Sequence, residues 1–291
     1  MQSSVVIALA SLAVFAPVGA RTKYVVSFGD SYTSTTFDLT GTKPSAANPL
    51  GNPPYPGWTS SGGTNWVSDI VAKYNNSLLL SYNLASGGAT VNASLVAPYL
   101  PTVHSIIDQV ADFQEYLFPP PSWAPWTAQD TLFAVWIGVN DVAGSWYQTS
   151  ASTLEEEILN QLFNEIELLY QDGARNFGLL TVPPIERTPN IMQAANANDT
   201  VPRVKAAVEH WNTILKEKAE ALNRKYSDVT VKVIDTQPVF NGLLDSGGAA
   251  AECWNSDGVT CLWFNDFHPG IVIQNAVAQA VATAWKGNFF L

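Results

Sequence analysis

Short apolar runs alternate along the chain with longer segments in which apolar residues recur at three- and four-residue steps. The runs are rich in β-branched and aromatic residues, which predicts buried strands over residues 23–28, 78–84, 131–137, 176–182 and 229–234. The helical periodicity predicts helices over residues 65–74, 103–117, 153–170, 203–226 and 271–285. In the third helix, Thr153 is the expected N-cap and Glu156 completes a capping box. This alternation predicts an α/β fold, with three α/β/α layers around a five-stranded parallel sheet.

The amino-terminal segment differs from the rest of the chain. Residues 5–15 form an almost unbroken apolar run, and Pro17 and the small residues Val18-Gly19-Ala20 follow it. This pattern predicts a secretory signal peptide over residues 1–20, cleaved after Ala20. An amino-terminal membrane anchor is the alternative, although the run is short for a hydrocarbon core of about 30 Å. Residues 21–291 contain no linker or internal repeat, so we expect them to form one domain. We also expect this domain not to be attached to a membrane.

Composition narrows the possible partners. The 291-residue chain is 47% hydrophobic, enough for a large core, and its formal net charge is −11. A chain this acidic repels phosphate backbones, so we expect no nucleic-acid partner. Ten Trp, ten Tyr and thirteen Phe are a large aromatic content, and such rings either fill a core or stack against sugars.

Cysteines and glycosylation motifs agree with export. Cys253 and Cys261 are the only two cysteines, and they lie close enough in the chain to pair in an oxidising compartment. Asn-X-Ser/Thr motifs begin at Asn75, Asn92 and Asn198. No Cys/His cluster indicates a zinc site. We therefore expect a secreted glycoprotein with one disulfide and no metal.

Glycines and polar side chains follow three of the predicted strands. Gly29-Asp30-Ser31 follows the first, Gly87-Gly88 lies beyond the second, and Gly138-Val139-Asn140-Asp141 follows the third. Because parallel strands end at the same edge of a sheet, these groups are expected to lie together there. A serine hydroxyl is a candidate nucleophile, and glycine N–H groups and an Asn amide are candidate donors to an oxyanion.

A serine nucleophile needs a base, and the chain contains three histidines. His104 and His210 fall in predicted helices, where a solvated or hydrogen-bonded histidine is the ordinary interpretation. His268 lies in a loop just before the last predicted helix, so it is the candidate base. No nucleotide-binding, P-loop or zinc-protease motif competes with this interpretation.

Four sequence blocks resemble those of the SGNH (GDSL-type) hydrolases. They occur in the same order, over residues 24–285, as Phe28-Gly29-Asp30-Ser31, Asn83-Leu84-Ala85-Ser86-Gly87-Gly88-Ala89, Gly138-Val139-Asn140-Asp141 and Phe267-His268-Pro269. A narrower segment, residues 48–66, is similar to fungal carbohydrate esterase family sixteen, a group of acetylesterases that act on sugars and xylo-oligosaccharides. The resemblance implies a flavodoxin-like three-layer fold and no metal or organic cofactor.

The resemblance also implies roles for individual residues. Ser31 would be the nucleophile and His268 the general base. The Ser31 N–H, the Gly88 N–H and the side-chain amide of Asn140 would form the oxyanion hole. Gly88 rather than Gly87 matches the family spacing, because it lies five residues after Asn83.

One position departs from the family pattern. The usual Asp three residues before the His is Asn265 here, with Asp266 beside it. Either Asn265 orients the imidazole by an uncharged hydrogen bond, or a shifted loop brings Asp266 to His268. A one-residue shift in a tight turn changes side-chain direction, which favours Asn265. An uncharged group does not stabilise an imidazolium, so we expect this departure to lower the rate.

These observations predict a secreted, monomeric serine esterase that removes acetyl groups from plant-wall carbohydrate through an acyl-enzyme. Its substrate would be an acetylated oligosaccharide or another short-chain ester. The alternatives are a secreted lipase or broad carboxylesterase of the same fold, and a non-catalytic sugar-binding protein. With His268 as base, activity is expected to rise with pH through a pKa of about 6–7.

The long segment 36–63 is expected to line or cover the site, since it exceeds an ordinary βα connection. Five aromatic residues are candidate walls for a sugar ring or, equally, packing residues: Tyr55, Trp58, Trp123, Trp126 and Trp146.

Overall fold

Five parallel strands form the centre of the protein. The computed structural model describes residues 21–291, so the predicted signal peptide over residues 1–20 lies outside the described residues. The strands are β1 (Lys23–Gly29), β2 (Leu79–Asn83), β3 (Thr131–Trp136), β4 (Asn176–Leu180) and β5 (Thr230–Ile234). They lie in the order β2-β1-β3-β4-β5, and every neighbouring pair is parallel. The predicted sheet is therefore confirmed.

Helices connect the strands and cover the sheet. They are α1 (Trp66–Asp69, continued by a π-helical turn over Ile70–Tyr74), α2 (Ile106–Tyr116), α3 (Val139–Ser145), α4 (Ala151–Gln171), α5 (Pro189–Met192), α6 (Ala197–Lys225), α7 (Gln237–Ser246) and α8 (Ile271–Ala284). Single 3₁₀ turns span Ile185–Arg187 and Gly248–Ala251. Helix α8 contacts α1 and α7, whereas α4 contacts α2 and α6. These two groups are the outer layers of the predicted α/β/α arrangement.

Three helix starts differ from the prediction. Helix α6 begins at Ala197 and not at residue 203, so Pro202 lies inside its second turn. The other two are the starts of α2 and α4. Helix α2 begins at Ile106 because Ser105 and Asp108 form a capping box, so the prediction that His104 lies in a helix is wrong. Helix α4 begins at Ala151, and its N-cap Ser150 makes no side-chain hydrogen bond, so the predicted Thr153 capping box is wrong too. In both cases apolar periodicity located the buried face of the helix but not its first residue.

Most of the aromatic content fills the core. The largest fully buried side chains include the five tryptophans Trp66, Trp136, Trp211, Trp263 and Trp285. Every residue of β2 and β3 is buried, as expected for strands covered on both faces. The core therefore extends through both interfaces between the sheet and the helical layers.

Two further features bear on the sequence-based expectations. Cys253 and Cys261 are joined in a disulfide, in the segment between α7 and α8. No helix within residues 21–291 is both long and apolar enough to span a bilayer.

Candidate active site

Ser31 lies in a tight turn at the carboxyl end of β1. Gly29, the last residue of β1, has a φ of +152°, and a Cβ there would lie 2.3 Å from the carbonyl oxygen of Trp136 on β3. Only glycine allows β1 and β3 to approach this closely at their ends. Beyond it, Asp30 Oδ1 accepts a hydrogen bond of 2.9 Å from the Tyr32 N–H, which closes the turn. The turn places Ser31 at the carboxyl edge of the sheet.

The imidazole of His268 contacts the Ser31 hydroxyl. Their Nε2 and Oγ atoms lie 2.8 Å apart, although the two residues are separated by 237 positions. The buried Tyr32 supports the imidazole from one side, with ring centroids 5.6 Å apart. The Tyr32 hydroxyl also donates to the carbonyl of Phe267. Packing and backbone hydrogen bonding therefore hold the histidine loop against the serine turn.

The side chain of Asn265 contacts the His268 imidazole. Its Oδ1 accepts hydrogen bonds from the backbone N–H groups of Phe267 at 2.9 Å and His268 at 2.7 Å. Because both backbone partners are donors, this side-chain atom is the amide oxygen and not the nitrogen. The same oxygen lies 3.0 Å from His268 Nδ1, so it accepts a hydrogen bond from Nδ1–H. Nε2 is then the unprotonated nitrogen, and it accepts the hydrogen bond from the Ser31 hydroxyl.

Asp266 points away from the imidazole. Its Oδ2 accepts a hydrogen bond of 3.1 Å from the side chain of Asn190, and its carbonyl accepts one of 2.8 Å from the Asn190 N–H. The start of α5 therefore holds Asp266 on the other side of the loop. Of the two candidates, the structure brings Asn265 and not Asp266 into contact with His268.

The pKa of His268 lies well below its usual value. Burial of the imidazole lowers this pKa to about 4, and the nearby Asp266 carboxylate opposes the shift only in part. The sequence-based expectation of a pKa near 6–7 is therefore wrong. It used the value of a solvated imidazole, whereas this one is enclosed and has an uncharged partner at Nδ1.

Besides the Ser31 N–H, the candidate oxyanion donors are Gly88, on the loop after β2, and Asn140, in the first turn of α3. Gly88 has a φ of +84°, and a Cβ there would lie 2.3 Å from the ring of Tyr99. The Asn140 side-chain amide donates a hydrogen bond of 2.9 Å to the carbonyl of Ala89, which leaves its second N–H for another acceptor. The Ser86 N–H donates to the carbonyl of Gly29 at 3.1 Å. These contacts bring the ends of β1, β2 and β3 to one edge.

Two buried carboxyl groups lie behind this edge. Asp30 precedes Ser31 and Asp141 follows Asn140, and each carboxyl has one oxygen without a hydrogen-bond partner among the described residues. The pKa of each is raised to about 7, chiefly by burial, and for Asp30 the charge of Asp141 contributes to the rise.

A cleft of about 600 Å³ opens beside Ser31. One wall comes from the loop after β1 and includes Phe37, Asp38 and the largely exposed Trp58. The other wall comes from the end of β2 and from the start and outer face of α2, and it includes His104 and Asp112. The prediction that the segment over residues 36–63 lines the site is confirmed.

Of the five aromatic residues predicted as walls, only Trp58 lines this cleft within the described chain. Trp126 is buried in the core and donates from its indole to the carbonyl of Leu117. Trp123 and Trp146 pack against the core, and the half-exposed Tyr55 lies outside the lining. Isolated aromatic positions in a sequence do not distinguish a cleft wall from core packing.

Sequence reasoning missed several residues of this region. His104, Asp112 and Tyr116 line the cleft, although nothing in their local sequence indicates it. Gln109 did carry a signal, since it is a polar residue on the apolar face of α2. It is fully buried, and its side chain exchanges two hydrogen bonds of 2.9 Å with the N–H and carbonyl of Gly29.

No group of three or more His, Cys, Asp or Glu side chains within residues 21–291 is arranged to hold a metal ion.

At the carboxyl edge of this parallel sheet, a serine hydroxyl is hydrogen-bonded to an oriented imidazole. This arrangement is used for acyl transfer. Sequence comparison agrees, and the protein is a carboxylic ester hydrolase. The chain belongs to the GDSL-like Lipase/Acylhydrolase family, whose pattern matches residues 25–281. Most of the described chain therefore lies within the family match.

One named relative and two solved structures are similar to this chain over at least 90% of its length. An acetylesterase from Thermothelomyces thermophilus is 52% identical over 273 residues, which cover 92% of this chain and 90% of that protein. A catalytic mutant of an acetylxylan esterase from Geobacillus stearothermophilus superposes with a TM-score of 0.56 at 16% identity, over 92% of this chain and 96% of the other. An extracellular lipase from Streptomyces rimosus gives a TM-score of 0.52 at 14% identity, over 90% of this chain and 99% of the other. At these low identities the two structures establish the fold alone.

Proposed function

We propose that this protein is a secreted acetylesterase that removes acetyl groups from plant-wall carbohydrate. The observation that carries the proposal is the 2.8 Å contact between Ser31 Oγ and His268 Nε2, with the Nδ1 proton held by Asn265. The 52% identity to an acetylesterase over most of both chains supports an acetyl group as the acyl part. The mixed aromatic and polar lining of the cleft supports a sugar as the alcohol part.

The mechanism we infer is a two-step acyl transfer. Neutral His268 accepts the Ser31 proton at Nε2 while Oγ attacks the ester carbonyl. The N–H groups of Ser31 and Gly88 and the free N–H of Asn140 stabilise the oxyanion. The protonated imidazole then passes its proton to the leaving sugar oxygen, and an acetyl-serine remains. Water, deprotonated by His268, attacks this ester, and the imidazolium returns the proton to Ser31 Oγ as acetate leaves.

The low pKa of His268 sets the pH range of this mechanism. With a pKa of about 4, the imidazole is neutral and competent as a base throughout the range above pH 5. The rate is therefore expected to depend little on this group between pH 5 and 8, and to fall below about pH 4. Asn265 fixes the tautomer but contributes no negative charge, which lowers the basicity of His268 in return for activity in acid.

Location and assembly are inferred from several separate features. The signal-like pattern in residues 1–20 and the disulfide between Cys253 and Cys261 support secretion. We also infer glycosylation at the predicted motifs. Asn198 is exposed on the first turn of α6, whereas Asn75 and Asn92 are partly buried, so Asn198 is the most accessible acceptor. We infer a monomer that binds its ester substrate without a further partner.

The proposal is tested by acetate release from acetylated xylo-oligosaccharides and from p-nitrophenyl acetate. Ser31→Ala is expected to lower kcat by at least about a thousandfold, since the nucleophile is lost. Ser246→Ala is the matched control, because this exposed serine on α7 only donates to the carbonyl groups of its own helix. Ester hydrolysis that persists in Ser31→Ala would exclude the catalytic assignment.

A series of p-nitrophenyl esters separates the acetylesterase from a broad carboxylesterase or lipase. We expect kcat/KM to fall steeply from acetate to butyrate and caprylate. A preference for caprylate or longer acyl chains would contradict the acetylesterase proposal, and carbohydrate binding without any turnover would indicate a non-catalytic protein.

A further inference from the structure

The cleft beside Ser31 contains a second histidine–carboxylate pair. His104 Nδ1 lies 2.7 Å from Asp112 Oδ2, and both side chains line the cleft. About half of the His104 side chain is exposed, so the imidazole is open to a ligand from the cleft side. The carboxylate accepts a hydrogen bond from Nδ1–H, which leaves Nε2 for a hydrogen bond with a ligand.

His104 is held in a fixed position relative to Ser31. Its carbonyl accepts a 3.0 Å hydrogen bond from Gln109 Nε2, and the same amide nitrogen donates to the carbonyl of Gly29 at 2.9 Å. Its N–H donates to Ser86 Oγ at 3.3 Å, and Ser86 is itself bonded to Gly29 through its N–H. Two hydrogen-bonded connections therefore join His104 to the residue two positions before the serine. These contacts fix the backbone of His104, and the hydrogen bond to Asp112 fixes its imidazole, so the side chain is preorganised at the cleft.

The surrounding lining indicates the chemistry of the ligand. Asp112 and Tyr116 lie one turn apart on α2, and Trp58 and Phe37 face them from the β1 loop. Tyr116 shares the cleft lining with the carboxyl groups of Asp38 and Asp112. Polar acceptors beside aromatic faces suit a polyhydroxylated ring, whose hydroxyl groups donate while its C–H faces pack on the aromatic rings.

The negative charge of the cleft favours an uncharged sugar over an anionic one. Asp38 and Asp112 both line the cleft, and hydrogen bonds from Thr40 lower the pKa of Asp38, which keeps it ionised. No lysine or arginine side chain belongs to the lining in the described part of the chain, and Lys43, which donates to the carbonyl of Leu39, offsets only part of the charge of Asp38. With a net charge of −11, the protein adds to this negative potential. A sugar that carries a carboxylate is therefore repelled, and an uncharged one is not.

We propose that His104 and Asp112 form a subsite for an uncharged sugar residue of the acetylated substrate, and that Asp38 and Asp112 select against substrates that carry uronic acid. The inference rests on the proposed function, because it assigns the alcohol side of the ester to this cleft. His104 acts as a specificity-determining residue through its contact with the sugar, whereas the proton transfers belong to His268.

The test compares two esters of the same acid. The kcat/KM for an acetylated neutral xylo-oligosaccharide, divided by that for p-nitrophenyl acetate, is expected to fall about tenfold in His104→Ala, as for a lost hydrogen bond. Asp112→Ala is expected to lower the ratio in the same direction, since it removes the acceptor of the Nδ1 hydrogen bond and frees the imidazole to rotate. The control is His210→Gln, which alters a similar pair with Glu155, at 2.6 Å, away from the cleft. It keeps a hydrogen-bond donor for the buried Glu155 and is expected to leave the ratio as in the wild type.

The charge selection has its own measurement. The wild type is expected to prefer a neutral acetylated oligosaccharide to one with a uronic acid substituent, and Asp38→Asn to reduce this preference about threefold at low ionic strength. The preference should weaken as salt is added, because exposed charges are screened. Equal turnover of the two substrates by the wild type overturns the charge argument.

These measurements distinguish failure of the His104 subsite from failure of the proposed esterase function. If p-nitrophenyl acetate is hydrolysed through Ser31 but the ratio is unchanged in His104→Ala, the subsite is refuted and the esterase remains. A fall in both activities by the same factor also refutes the subsite, because it indicates that His104 only supports the serine turn. If the wild type hydrolyses neither ester, the proposed function itself fails.

Discussion

Asn265→Asp restores the charge that the His268 partner lacks, and it is the sharpest test of the proposed mechanism. Asn265 Oδ1 already accepts from His268 Nδ1 at 3.0 Å and from two backbone N–H groups. An Asp carboxylate keeps this oxygen and its three hydrogen bonds, and it replaces only the amide nitrogen by a second oxygen. The substitution therefore changes the charge beside the imidazole with little change in shape.

The magnitude follows from this geometry. A carboxylate in hydrogen-bond contact with a half-buried imidazole raises its pKa by roughly 1–3 units. From a starting value of about 4, the variant His268 is expected to titrate between about 5 and 7. If about half of the gain in basicity appears in the rate, kcat rises by roughly 3- to 30-fold once the imidazole is neutral.

The assay is the pH dependence of kcat/KM for p-nitrophenyl acetate between pH 3.5 and 8.5, at constant ionic strength. The acid limb of the wild type is expected near pH 4, and that of Asn265→Asp at least one pH unit higher, with a faster plateau. Asp266→Asn is the control for a neighbouring charge without contact. It removes the carboxylate that raises the His268 pKa, so its acid limb is expected to move to lower pH.

Two results would refute this reasoning. An acid limb of the wild type near pH 6.5 would mean that burial does not lower the His268 pKa as inferred. An Asn265→Asp profile that coincides with the wild type would mean that residue 265 does not contact the catalytic base.

Other predictions test the oxyanion donors and the buried carboxyls. Gly88→Ala is expected to lower kcat by about a hundredfold, because the φ of +84° at this position disfavours a side chain and a Cβ would clash with Tyr99. Gly87→Ala is the control and should keep a kcat near that of the wild type, because a Cβ at residue 87 has no atom within 4 Å. Equal losses in the two variants would contradict the choice of Gly88. In the folded protein the pKa of Asp30 and of Asp141 is about 7, whereas an Asp in the unfolded chain has a pKa of about 3.9. Between these two pH values the folded protein binds more protons than the unfolded chain. The free energy of unfolding therefore falls as the pH rises toward and through 7. Thermal unfolding should therefore occur several degrees lower at pH 8 than at pH 5, and Asp141→Asn should flatten this dependence; an unchanged slope in the variant would argue against these shifts.

Residue patterns predicted the sheet more reliably than the ends of the helices. All five strands were expected within two residues of their observed ends, because each is a short apolar run bounded by polar residues. Helix α2 begins later than its periodicity suggested, since a local capping box at Ser105 sets its start. The short helices α3 and α5 were not predicted, because they span too few turns for periodicity to be visible, and the ten-residue helix α7 was not predicted either.

The pairing of Ser31 with His268 was expected from motif order, but the choice between Asn265 and Asp266 was not. That choice depends on the turn that aims Asn265 Oδ1 at two backbone N–H groups, and on Asn190, which holds Asp266 elsewhere. The cleft was also outside the reach of local patterns. His104 and Asp112 have no sequence signal, because their role arises only where α2 packs beside the serine turn.

The sequence by itself determined the order of strands and helices and the identity of the chemical groups at each strand end, because alternation and residue type are local properties. Only the tertiary structure decided which groups touch, which histidine is enclosed, and that the base has an uncharged partner. Distances between residues far apart in the chain, and the loss of solvent around them, set pKa values and cleft shape. Both are properties of the packed molecule, since water leaves a site only when separate segments close around it.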